Sequence, residues 1–128
     1  MLKPDDFRRI ALGLTGAIES AHMDHPDFRA NGRIFATLHG DNRHGMVKLT
    51  PEQQHEFIAR RPKAFEPESG AWGRQGCTRV TLGAVDEETI GEALTLAFRN
   101  TRLIEDCAAG RRIAPLRRTR QPRRTRQP

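Results

Sequence analysis

The sequence predicts an α+β domain: an antiparallel β-sheet meander packed by N-terminal, middle and C-terminal helices. Three observations predict it. Asn31-Gly32 sits between two short apolar runs, and both residues tolerate the positive φ that a two-residue type I′ hairpin requires. Thr50-Pro51-Glu52-Gln53 combines an N-cap, a first-turn proline and a capping-box partner. Ile90, Ala93, Leu94, Ala97 and Phe98 recur with the 3.6-residue period of an amphipathic helix.

Taken in order, residues 4–14 read as a helix, with Phe7, Ile10, Ala11 and Leu14 on one face. Pro4 suits its first turn, and Asp5 and Asp6 complement its N-terminal dipole. Thr15-Gly16 weakens that stripe, so residues 17–23 are expected to be mostly extended. His25-Pro26 leads into the hairpin, because the residue before proline is pushed out of helical geometry. On the hairpin, Phe28 and Ala30 face Ile34, Ala36 and Leu38, which alternate with Phe35 and Thr37. Residues 39–45 form a polar turn, and Met46, Val47 and Leu49 make the next strand. The middle helix runs from Thr50 to about Arg60, burying Phe57 and Ile58, and stops before Pro62. Residues 64–66 suit a short strand, and 68–76 a glycine-rich loop holding the only Trp. Cys77 to Leu82 alternates as a strand, Val80 and Leu82 on one line, Arg79 and Thr81 on the other, with Arg79 facing solvent. Asp86 caps the last helix, which fades between Thr101 and Ala109.

A chain of 128 residues supports one domain with one core. The division expected is a folded domain over residues 1–107 and a disordered tail over 108–128, in which RRTRQP occurs twice without change. No apolar run approaches a membrane span, no signal peptide is visible, and Cys77 and Cys107 form no redox or metal pair. A reduced cytoplasmic protein, monomeric by default and without a membrane partner, is the expectation.

The net charge of +6 is unevenly placed. Residues 111–128 carry eight Arg and no acid, which leaves fourteen basic against sixteen acidic side chains in the first 110 residues. Within that body, residues 29–79 hold nine Arg and Lys against five acids. A basic middle between acidic ends suits a positive face.

The candidate nucleic-acid contacts in the middle segment are Arg33, Lys48, Arg60, Arg61, Lys63, Arg74 and Arg79. Arg60-Arg61 at a helix C-terminus is equally explained by the helix dipole. Trp72, between glycines and followed by Arg74 and Gln75, has two readings: a ring that stacks on a base, or a lid folded back on the core, which is the reading favoured. In the tail, Arg111, Arg112, Arg117, Arg118 and Arg120 suit any polyanion, without the aromatics that would stack on bases. His22, Asp24, His25 and Asp27 lack a complete ligand spacing, so no metal is assigned. No nucleophile has a base beside it, and no cofactor motif is present, so no catalytic residue is assigned and a non-enzymatic protein is expected.

With these residues in place, the chain resembles the MmcQ/YjbR-like family of small bacterial proteins. The segments that carry the resemblance are His25 to Arg29, Gly32 to Leu38, Val47 to Gln54, Trp72 to Gly76 and Thr78 to Val80, followed by the closing helix. They span residues 5–104 in order. The resemblance implies a CyaY-like α+β fold of the double-wing type and a DNA-binding role, and it supports the extended reading of 17–23. Cys77 stands where that family often has Trp. Frataxin-like iron binding is set aside, because the first helix offers only Asp5 and Asp6 against Arg8 and Arg9. The expected function is phosphate-directed binding of DNA, or of RNA, with weak sequence specificity. The alternative is a protein- or ligand-binding module whose nucleic-acid affinity comes only from the tail.

Overall fold

The computed structural model describes residues 2–22 and 25–109. The order is α1 (Pro4–Leu12), β1 (Ile18–His22), β2 (His25–Ala30), β3 (Arg33–Leu38), β4 (His44–Lys48), α2 (Pro51–Arg60), β5 (Phe65–Pro67), α3 (Gly70–Arg74), β6 (Cys77–Thr81) and α4 (Glu87–Ala109). The six strands form one sheet in the order β1-β2-β3-β4-β6-β5, every neighbouring pair antiparallel. One face carries α1, α2 and α4; the other is open. The α+β meander predicted from the sequence is the fold observed. Ala108 and Ala109, expected to open the tail, close α4, and the rest of the expected tail over 108–128 lies outside the described residues.

The local signals act as their chemistry requires. Asn31 and Gly32 take φ of 55° and 75°, the left-handed geometry of a type I′ turn. Asn31 also donates a 3.0 Å hydrogen bond to Thr101 Oγ1, tying the hairpin tip to α4. Thr50 accepts from the Gln53 amide at 3.1 Å, and Gln53 Oε1 accepts from the Thr50 amide at 3.0 Å, closing the predicted capping box. Asp86 Oδ1 accepts from the Thr89 amide at 3.1 Å at the start of α4.

The core lies between the helices and the covered sheet face. Phe7 of α1, Phe28 and Phe35 of the hairpin, Phe57 of α2, Phe65 of β5 and Ile90, Leu94 and Ala97 of α4 are all fully buried. Phe57 and Phe65 stand 5.2 Å apart, Phe7 and Phe28 5.9 Å, in tilted aromatic pairs.

Three expectations change. The first helix ends at Leu12 instead of residue 14, with Gly13 as its C-cap. The hairpin does not alternate evenly: Phe28 pairs with Ala36 and Arg29 with Ile34, so Phe35 is a bulge residue, and Phe35 and Ala36 are both buried. The bulge rotates Ile34 off the core line and onto the open face. The glycine-rich loop holds a short helix, α3. Glycine's low helix propensity hid it, and tertiary contacts impose it. Gln54, buried in α2, donates 2.9 Å and 3.1 Å hydrogen bonds to the carbonyls of Gly73 and Cys77. A Cβ at Gly73 would run into the Glu68 carbonyl oxygen, so only glycine allows this approach.

Candidate nucleic-acid interface

The open face is built from the outward positions of β2, β3, β4 and β6. Direct pairing aligns Asp27, Thr37, Met46 and Arg79 in one row across the sheet. Lys48 and Cys77 form an adjacent pair further along. Above this surface α3 brings Trp72 from the side, and the two enclose an open cavity of about 400 Å³. Ile34, Leu38, Met46 and Trp72 give it apolar walls. His25, Thr37, His39, Lys48, Glu68, Ser69 and Cys77 give it polar groups.

Trp72 is the correction that matters most. It does not close over the core. It is 50% exposed and stands outside the core cluster. Lys48 Nζ lies 5.9 Å from the centre of its ring, within range of a cation–π contact. Lys48 is held from behind, where Asn100 of α4 donates to its carbonyl at 3.1 Å and to Gln53 Oε1 at 2.9 Å.

The electrostatics of the cavity are set by which charges already have partners. Glu68 is its one carboxylate. Glu68 accepts from Arg79 Nη2 at 3.2 Å, and His39 Nε2 lies 3.0 Å from its other oxygen. Lys48 makes no ion pair among the described residues. Burial pushes its ammonium below the ordinary lysine range; the Cys77 opposite opposes that shift, and the like charge of Arg33 adds to it. Burial pushes the Cys77 thiol up, against the pull of Lys48. His25 carries a buried Nδ1 with no hydrogen-bond partner among the described residues.

The predicted basic residues do not share one face. Arg33 opens β3 next to Ile34, and Arg74 ends the helix that carries Trp72; both are exposed and neither makes an ion pair among the described residues. Lys63 is exposed in the turn between α2 and β5. Arg60 lies on the helical side, where it bonds both Glu92 oxygens, at 3.0 Å and 3.1 Å, and covers the Phe57 ring. Arg61 donates to the Arg60 carbonyl, and its charge adds slightly to the lowering of the Asp86 pKa that the Thr89 hydrogen bonds cause. Both therefore serve the joint between α2 and α4. Arg79, expected to face solvent, is half-buried between Glu66 at 3.6 Å and Glu68. Its alternation with Val80 was read correctly, but both acids come from the β5 side, which the alternation does not reveal. Arg111, Arg112, Arg117, Arg118 and Arg120 lie outside the described residues, as does Asp24.

Sequence reasoning had not placed Thr37, Met46, His39 and Glu68 at the site. The period-2 pattern of β3 and β4 carries the signal, because Thr37 and His39, and His44, Met46 and Lys48, are the positions between core residues. Among the described residues no three His, Cys, Asp or Glu converge as metal ligands. No helix among them is long and apolar enough to cross a membrane.

Residues 12–100 match the family model described as YjbR. The chain belongs to the YjbR family. The match takes in all six strands and the whole of the open face. The fold of this YjbR domain is shared by the crystal structure of Deinococcus radiodurans protein DR2400, described as a DUF419 domain. The TM-score is 0.63 at 24% sequence identity, covering 83% of this chain and 80% of that one. No curated protein matches the chain.

Proposed function

We propose that this YjbR-family domain is a non-enzymatic nucleic-acid-binding protein of the cytoplasm. It is phosphate-directed and weakly sequence-specific, and its contact is the open sheet face. The observation that carries this reading is Lys48, a half-buried ammonium with no carboxylate partner among the described residues, set beside the half-exposed Trp72 ring. Arg33 and Arg74 add exposed cations next to the same elements. A site of this kind is completed by a phosphate and does not need one fixed base sequence. Arg60 and Arg79 fall outside the contact, because Glu92, Glu66 and Glu68 already neutralise them. The arginine-rich tail serves as an electrostatic arm.

The test replaces Arg33, Lys48 and Arg74 together by Ala in the full chain, leaving the tail intact. A fall in DNA affinity and a shallower dependence of log affinity on log salt supports the reading. Unchanged binding overturns it. A second reading, a ligand- or protein-binding module, draws on the apolar cavity walls of Ile34, Leu38 and Met46. Partner capture that survives high salt favours that one.

A further inference from the structure

We infer that the cavity between Trp72 and the sheet takes one unpaired nucleobase, so that the preferred nucleic acid is single-stranded. This rests on the nucleic-acid reading above and names the form of nucleic acid it involves.

Four features lead there. The Trp72 ring is half exposed and lines the cavity together with Ile34 and Met46, so an inserted planar ring meets aromatic and aliphatic surface. The volume, about 400 Å³, accommodates a base with part of its sugar. Thr37 and Ser69 on the lining offer hydroxyls that both donate and accept, which suits base edges without demanding one base. Lys48 stands at the Trp72 ring with no carboxylate partner among the described residues, where the phosphate next to an inserted base completes the pair.

A duplex meets this site badly. Its bases are stacked inward, and bringing one to Trp72 requires an unpairing and unstacking that single strands do not need. The inserted base instead adds a stacking contact, and removing such an aromatic weakens binding by roughly tenfold per base.

Trp72 is the only Trp in a chain without Tyr, so intrinsic fluorescence reports on this site directly. The full chain is titrated with an oligothymidylate and with a mixed-sequence duplex of equal length, at matched salt. The expected result is quenching of Trp72 by the single strand, and a single-strand affinity at least roughly tenfold above that of the duplex. Trp72→Ala, followed with a labelled oligonucleotide, then loses about tenfold for the single strand and stays within about twofold for the duplex. Trp72→Phe, which keeps a ring, retains most of the affinity. Binding to both forms with equal strength, without quenching and unaffected by Trp72→Ala, overturns base insertion while leaving the phosphate-directed reading in place. Absence of binding to either form overturns both.

Discussion

The Lys48 ammonium stands 5.9 Å from the centre of the Trp72 ring, and among the described residues no carboxylate neutralises it. A cation held this way lowers the stability of the free domain, because burial disfavours its charged form. Its pKa in the folded chain lies below the ordinary value of 10.5. The unfolded chain therefore binds the proton more tightly, and Lys48 makes stability rise with pH between the folded and unfolded values. Below the folded value the penalty is fully present. Lys48→Met is expected to stabilise the domain by about 1 kcal/mol, a rise in Tm of roughly 4 °C. The same change weakens nucleic-acid binding and reduces the salt slope by about one. Thermal denaturation and a salt titration check the two halves. A variant that is less stable and binds equally well would contradict the role given to Lys48.

Arg60 makes the opposite case. Its guanidinium already holds both oxygens of Glu92, and the pair holds the Glu92 carboxylate below its usual range. Arg60→Ala should leave nucleic-acid affinity within about twofold and lower stability only slightly, since both partners are exposed to solvent screening. A large loss of affinity would extend the contact to the helical side.

Gln54 and Gly73 set the position of Trp72. Gln54→Ala removes the side-chain donor shared by the Gly73 and Cys77 carbonyls, which keep the Gly76 and Glu68 amides, at an expected loss of about 1 kcal/mol. Gly73→Ala drives a methyl into the Glu68 carbonyl and must displace α3. Both variants should shift Trp72 emission and weaken binding together. Emission that moves while affinity holds would separate α3 from the site.

Arg29 and Asp27 lock the open face at β2. Arg29 Nε and Nη2 bond the two oxygens of the fully buried Asp27 at 2.8 Å and 3.1 Å. Removing one partner of such a pair leaves a buried charge undercompensated. Arg29→Ala should lower the stability of the domain. Denaturant unfolding of the two chains reads this. An unchanged midpoint would contradict the role given to the pair.

The fold was legible because its signals are local. Asn31-Gly32, the Thr50–Gln53 capping box, Asp86 and the Ile90–Phe98 stripe each determine an element through neighbours within four residues. The site was legible only in part. Lys48, Trp72, Arg33 and Arg74 were visible as residue types. Their separation from Arg60, Arg61 and Arg79 depends on contacts 11 to 32 residues apart, such as Arg60–Glu92 and Arg79–Glu68. The cavity itself follows from the Phe35 bulge and from α3, both imposed by tertiary packing over a weak local signal.

The most direct measurement is the affinity of the full chain and of a chain ending at Gly110 for the same single-stranded oligonucleotide across a salt series. Contact through Arg33, Lys48 and Arg74 predicts that the shorter chain still binds, with log affinity falling against log salt at a slope of about −2. Loss of all binding with the tail would contradict the account, and would assign the nucleic-acid affinity to the eight arginines beyond Gly110.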